Sequence, residues 1–164
     1  MHDLSLYLLD VLENSVRAGA GTVAVTIAAD HDADTLTLAV EDDGPGLPVT
    51  PDEALDPFFT TKKEKKTGLG LSLFRQAAEA AGGGLEMGVS DELGGVAVRA
   101  SMSLRNVDRP PFGDVATSII TMVATNPEVE FVVRLSDDGE RLELRGSELP
   151  RRLAELVAYQ EALS

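Results

Sequence analysis

Residues 56–74, DPFFTTKKEKKTGLGLSLF, combine a pair of adjacent phenylalanines, four lysines within five positions and a Gly-Leu-Gly-Leu run. The whole chain has only 14 Lys and Arg against 28 Asp and Glu. Glycines at the start of a helix leave backbone N–H groups free to attract phosphate, and the helix dipole adds to that attraction. The lysines supply positive charge that the rest of the surface lacks. The segment therefore predicts a phosphate-binding loop, although a solvated loop on an acidic surface is the alternative.

Composition limits the classes of protein to which the chain can belong. Its 164 residues and 43% apolar content predict one domain, or one domain with an appended subdomain. The formal net charge of −14 argues against general binding to nucleic acid or anionic lipid. We expect no membrane span and no signal peptide, and hence a cytoplasmic protein. The absence of cysteine excludes disulfides and zinc-thiolate sites.

Hydrophobic periodicity predicts a mixed α and β architecture over residues 3–104. Helical spacing is seen at residues 3–18 and from Leu71 to Ala81, where the run Gly82–Gly84 stops the second helix. Alternating, β-branched segments predict four strands. These strands are expected near residues 22–29, 35–41, 85–90 and 95–104, with a loop at 42–51.

A different pattern follows the proline-containing segment 105–114, which is predicted to be a linker. Apolar spacing predicts a helix from Val115, a hairpin over residues 129–144 and a last amphipathic helix from Leu149 to Leu163. We therefore divide the chain into a domain at 1–104 and a C-terminal helix-hairpin-helix extension at 105–164. The extension is either a structural element that packs on the sheet or a docking surface for a partner.

Asp10, Asn14 and Arg17 share one face of the first predicted helix, since they stand at positions i, i+4 and i+7. A carboxylate, an amide oxygen and a guanidinium can together hold a hydrated magnesium ion and a phosphate. The alternative is a solvated helix face with an ion pair between Glu13 and Arg17.

The sequence VEDDGPGL places Asp42, Gly44 and Gly46 in a D-x-G-x-G spacing at the end of a predicted strand. A carboxylate at that position can accept a hydrogen bond from an exocyclic amine such as that of adenine. Glycines allow the backbone to approach a flat ring and to adopt positive φ. A plain Asp-Gly turn is the alternative.

These motifs, in this order, resemble the ATP-binding domain of the GHKL or Bergerat-fold superfamily, which includes gyrase, heat-shock chaperones, sensor histidine kinases and MutL. The resemblance covers residues 3–104. The segment ENSVRAGAGTVAVTI (13–27) is similar to MutL, whereas residues 56–83 are closer to histidine kinases. The resemblance implies an α+β fold, a two-layer sandwich in which helices cover a mostly antiparallel sheet.

The resemblance also implies a role for each matching residue. Asn14 would ligate Mg²⁺, Asp42 would bind the adenine amine, and Arg17 would contact phosphates. Gly44 and Gly46 would shape the adenine pocket, while Phe58 and Phe59 would anchor the lid. The phosphates would be bound by a further set of residues. That set is Lys62, Thr67, Gly68, Leu69, Gly70 and Leu71.

Two departures from the superfamily pattern bear on activity. Hydrolytic members carry Glu four residues before the Asn, but this chain has Asp10, the candidate general base. The shorter side chain withdraws the carboxylate by about 1 Å, which can slow catalysis about a hundredfold. Sensor kinases carry their phosphoacceptor histidine on a hairpin before this domain, whereas the resemblance here begins at residue 3. We therefore expect any acceptor to lie on another polypeptide.

Two functions remain open on the sequence alone. The first is a stand-alone, kinase-like signal-transduction subunit that binds Mg-ATP and phosphorylates a separate protein partner. The second is an ATP-sensing module with little turnover. A MutL-like clamp that dimerises is a weaker third possibility, because the net charge is wrong for holding DNA. A homodimer stays open.

Overall fold

The computed structural model describes residues 3–46, 50–56 and 67–163, without the side chains of residues 67–69. Five α-helices, six strands and one short 3-10 helix (Gly146–Glu148) are found in this part of the chain. The helices are α1 (Leu4–Arg17), α2 (Pro51–Leu55), α3 (Thr67–Ala80), α4 (Val115–Thr125) and α5 (Leu149–Leu163). The strands are β1 (Thr22–Asp30), β2 (Thr35–Asp42), β3 (Gly84–Val89), β4 (Val96–Met102), β5 (Glu130–Asp137) and β6 (Glu140–Arg145).

The strands form one sheet in the order β3-β4-β2-β1-β5-β6. Every neighbouring pair is antiparallel except β1 and β5, which run parallel. Alternate strand residues and the apolar stripes of the helices meet in a single core. The predicted α+β fold with a mostly antiparallel sheet covered by helices is confirmed.

Helix α1 lies in the middle of the helical layer. Its stripe of Leu4, Leu8, Val11 and Leu12 is buried, and it packs against both α3 and α4. The helix begins at Asp3, whose carboxylate accepts a hydrogen bond from the Leu6 backbone N–H. Any displacement of α1 would therefore disturb both of its neighbouring helices.

The sequence pattern predicts a loop over residues 42–51, whereas the structure begins the short helix α2 at Pro51. Thr50 caps it by accepting a hydrogen bond from the Glu53 N–H, and the Glu53 carboxylate in turn accepts one from the Thr50 N–H. This reciprocal pair, with Pro51 at the first helical position, is a strong start signal. The sequence TPDE contained that signal.

Residues after 104 continue the same sheet. Strand β5 pairs along its length with β1, from Thr22 opposite Glu130 to Ala29 opposite Asp137. The connection before α4 is also attached to the core, because the Leu4 and Ser5 N–H groups donate to the carbonyls of Pro111 and Phe112. Whether 105–164 is a separate functional unit stays a prediction.

Replacing the buried Phe131 of β5 with alanine is expected to lower the free energy of unfolding by about 4 kcal/mol, through lost apolar burial and an unfilled cavity. Because β5 shares the sheet with β1, chemical denaturation should still show one transition. The exposed Arg141 of β6, changed to alanine, provides a control with little effect. Two separate transitions in Phe131→Ala would contradict a single cooperative unit.

Candidate functional site

Asp42, the last residue of β2, is the most buried acidic residue in the described part of the chain, with 3% of its surface exposed. Its Oδ1 accepts hydrogen bonds from the backbone N–H groups of Gly44 and Val96, both at 3.0 Å. Its Oδ2 accepts the Ser15 hydroxyl at 2.7 Å. A carboxylate has about four acceptor positions. The three described donors leave one position on Oδ2 for a ligand.

Ser15 is a site residue that sequence reasoning missed. It lies on the buried side of α1, where the stripe of leucines would otherwise place an apolar side chain. Its hydroxyl connects α1 to the end of β2 across the core. The only sequence signal for this contact is that Ser15 is a polar residue on the face of α1 that otherwise carries apolar residues.

The turn between β3 and β4 closes the other side of Asp42. The Gly95 N–H donates to the Asp42 carbonyl at 2.9 Å. A Cβ on Gly95 would lie 2.3 Å from Asp42 Oδ1 and 2.7 Å from the Gly44 backbone nitrogen. Only glycine fits at position 95, and its lack of a side chain allows this turn to pack directly on the buried carboxylate.

Two polar contacts hold the β3–β4 turn in place. The buried Ser90 donates its hydroxyl to Glu41 at 3.0 Å. Glu92 forms an ion pair with Arg134 of β5, with 2.5 Å between Oε1 and Nη2. Glu41 of β2 accepts from the turn, and Glu92 of the turn accepts from Arg134 of β5, so the turn is bonded both to β2 and to the C-terminal hairpin.

Apolar side chains continue the wall beside Asp42. Val96, the first residue of β4, donates its N–H to Asp42, and Val89 of β3 pairs with Val96. Because side chains alternate along a strand, all three lie on the face of the sheet that carries the core. Val89 is 74% exposed. Val89 lies two strands from Asp42, so it extends the apolar face of the sheet and does not itself contact the carboxylate.

The adjacent Asp43 has a different role. It is exposed, and its Oδ1 accepts the backbone N–H groups of Gly21 and Thr22 at 2.8 and 2.9 Å. The hydrogen bond from Thr22, followed by that from Gly21, lowers the pKa of Asp43. Asp43 therefore holds the start of β1, whereas Asp42 faces the site.

Helix α1, which carries Ser15, also packs against α3. Tyr7 stacks on Phe74 with ring centroids 5.0 Å apart. Burial is the main reason that the pKa of Tyr7 is raised, and the nearby Asp10 carboxylate adds to it. Farther along, a Cβ on Gly70 would lie 3.1 Å from Asp10 Oδ2. The Asp10 carboxylate thus lies against the first turn of α3.

The other predicted site residues lie on α1, in the loop after β2, on α3, or outside the described part of the chain. Asn14 is half-buried and Arg17 is exposed at the end of α1, while Gly46 has a φ of +90° that suits glycine. Thr67, Gly68, Leu69 and Gly70 form the first turn of α3, and the Leu71 side chain is buried in the core. Phe58, Phe59 and Lys62 lie outside the described residues.

His31 lies at the far end of β1 from Asp42, since Val23 pairs with Asp42 while Asp30 pairs with Thr35. Its ring Nδ1 lies 2.9 Å from Asp138 Oδ2, and its backbone N–H donates to Asp138 Oδ1 at 2.7 Å. The backbone hydrogen bond from His31 has the largest effect in lowering the pKa of Asp138, and the side-chain hydrogen bond adds to it. The contact joins two hairpin tips and takes no part in the candidate site.

Comparison with known proteins identifies the protein family to which the chain belongs. The family model described as "Histidine kinase-, DNA gyrase B-, and HSP90-like ATPase" matches residues 2–106. The chain belongs to this family. The match includes α1, the end of β2, the β3–β4 turn and α3, which carry the candidate site residues that the structure describes. Family membership supports nucleotide binding.

Individual relatives add detail. The sensor protein kinase PilS of Pseudomonas aeruginosa is 39% identical over 84 residues, which are 48% of this chain and 16% of PilS. Nitrogen regulation protein NtrY of Azorhizobium caulinodans is 28% identical over 116 residues, 66% of this chain and 15% of NtrY. The chain thus spans about one sixth of the length of these relatives.

Two solved structures are also similar. The nucleotide-free catalytic domain of histidine kinase ThkA has a TM-score of 0.46 and 26% identity, covering 60% of this chain and 65% of that one. The Aquifex aeolicus MutL ATPase domain complexed with ADP has a TM-score of 0.48 and 20% identity, covering 96% and 70%. None of the helices in the described ranges has the length and apolar content needed to cross a bilayer.

Proposed function

We propose that the chain binds Mg-ATP between the end of β2 and the α1–α3 pair. The observation that carries this proposal is the buried Asp42 carboxylate, fixed by Ser15, Gly44 and Val96, with one acceptor position left. That position would accept the adenine amine.

The phosphates would lie toward α3. The first turn of this helix offers backbone N–H groups at Thr67, Gly68 and Leu69, which attract anions. Lys62 and Arg17 would add positive charge. On α1, the Asn14 amide oxygen and the Asp10 carboxylate fit Mg²⁺, which prefers oxygen ligands. A bound Mg²⁺ would neutralise phosphate charge; Asn14 would hold it and orient the triphosphate.

The activity proposed is that of a kinase-like subunit in the cytoplasm that transfers phosphate to a separate protein. The sensor-kinase relatives support this choice, since PilS is named as a kinase. An ATP-sensing module with little turnover is the second candidate. Asp10 favours it, because a carboxylate one methylene shorter than Glu is poorly placed to activate water. A homodimer stays a prediction.

Titration with Mg-ATP, paired with a phosphate-release assay, tests the proposal. The wild type should bind, and Asn14→Ala should bind about tenfold more weakly because an oxygen ligand to a charged group is lost. The exposed neighbour Glu13, changed to Gln, is the matched control and should bind like the wild type. Phosphate release should stay slow without an acceptor protein. Equal affinity of Asn14→Ala and wild type for Mg-ATP would contradict the metal-binding role.

A further inference from the structure

The contacts between α1 and α3 place the Asp10 carboxylate at the anion-attracting end of α3. Along α1 the contact points are Tyr7 and then Asp10, while along α3 they are Phe74 and then Gly70. The two helices therefore run in opposite directions at this contact. Continuing along α1, Asn14 lies one turn beyond Asp10, on the side of the first residues of α3.

The absence of a side chain at Gly70 allows this approach. A Cβ there would lie 3.1 Å from Asp10 Oδ2 and 3.6 Å from its Cγ. A carboxylate at the N-terminal turn of a helix is stabilised by the helix dipole. The same turn is where the proposed function places the phosphates. Asp10 and a metal-free triphosphate would thus compete for one region of positive potential.

We propose that Asp10 makes nucleotide binding dependent on a divalent cation by repelling phosphate that carries no metal. This inference rests on the proposed function and assigns Asp10 a role other than activation of water. A bound Mg²⁺ would remove the repulsion between Asp10 and the phosphates, because a hard cation can be coordinated by carboxylate and phosphate oxygens at the same time. Like charges about 4 Å apart, even in water, repel enough to change a dissociation constant about fivefold. The triphosphate has several charges, so fivefold is a lower estimate.

The consequence is selection among the forms of the nucleotide. Mg-ATP would be admitted, while free ATP and other free polyphosphates would be disfavoured. The rest of the chain already repels anions through its net charge of −14. Asp10 differs from that general field because it lies beside Gly70 itself, where salt screens an interaction less than it screens distant charges.

Calorimetric titration of Asp10→Asn with ATP, in excess Mg²⁺ and in EDTA, tests this role. Asn keeps the shape of the side chain and removes its charge. We expect metal-free ATP to bind at least about fivefold more tightly than to the wild type. Mg-ATP affinity should be unchanged or weaker, because a candidate metal ligand is lost. The ratio of the two affinities should therefore fall. Adenosine, which has no phosphate, should bind both chains equally.

Glu13→Gln is the matched control, since it removes one negative charge from an exposed position of the same helix. It should leave the ratio of metal-bound to metal-free affinity as in the wild type. The inference is overturned if Asp10→Asn does not strengthen metal-free ATP binding, including the case in which no such binding is detected. An equal change in Glu13→Gln also overturns it. A wild type that binds neither Mg-ATP nor adenosine would instead refute the proposed function itself.

Discussion

Changing Asp42 to alanine is expected to weaken ATP binding at least about a hundredfold, as measured by calorimetry. The carboxylate is the proposed acceptor for the adenine amine, and a site built around a hydrogen bond loses far more than an apolar contact when the partner is removed. The same change leaves the Ser15 hydroxyl and the N–H groups of Gly44 and Val96 without their acceptor. The free energy of unfolding should fall by about 3 kcal/mol.

A second variant separates lost binding from lost folding. Asp42→Asn keeps the shape and one acceptor oxygen, so denaturation should show a smaller loss of stability. Its amide nitrogen donates instead of accepting, and ATP binding should still be lost. Asp43→Asn is the control next in sequence; it disturbs the start of β1 but should bind ATP. Binding by Asp42→Asn at the wild-type affinity would contradict the proposed adenine contact.

Gly95→Ala should have the second large effect, on both stability and binding. The new Cβ would lie 2.3 Å from Asp42 Oδ1 and 2.5 Å from its carbonyl oxygen, distances that force the backbone to move. We expect the free energy of unfolding to fall by about 3 kcal/mol or more in chemical denaturation. ATP affinity should fall by at least about tenfold, because Asp42 is displaced.

Gly88→Ala provides the control for this prediction. Gly88 lies on β3, close in sequence to the same turn, but a Cβ there would meet nothing within 4 Å. A strand residue with ordinary backbone geometry gains from a Cβ, so stability should be unchanged or slightly higher. If Gly95→Ala were as stable as Gly88→Ala and still bound ATP, the close packing of the turn on Asp42 would be refuted.

Much of the fold could be predicted because its signals are local. The leucine stripe of α1 and the alternating β-branched residues of β1 and β2 each determine an element by its own periodicity. The order of Asn14, Asp42 and the Gly-Leu-Gly-Leu run predicted the family, which the family model confirms. The roles of these residues in binding stay predictions.

Other features depend on contacts that no local pattern contains. The parallel pairing of β5 with β1 joins residues more than a hundred positions apart. The hydrogen bond from Ser15 to Asp42 crosses from a helix to a strand, and the fit of Gly95 against Asp42 depends on tertiary packing. Helix α2 is different, because its Thr50–Glu53 capping pair is a local sequence signal, although the neighbouring prolines also favour a loop.

The most direct test of the central claim compares ATP with inosine triphosphate, each with Mg²⁺, by calorimetry on the wild type. The two nucleotides share the triphosphate and the ring shape, but inosine has a carbonyl oxygen where adenine has its amine. The Asp42 carboxylate can only accept, so we predict that ATP binds and that inosine triphosphate binds about a hundredfold more weakly. Equal binding of the two, or binding of neither, would contradict an adenine site at Asp42.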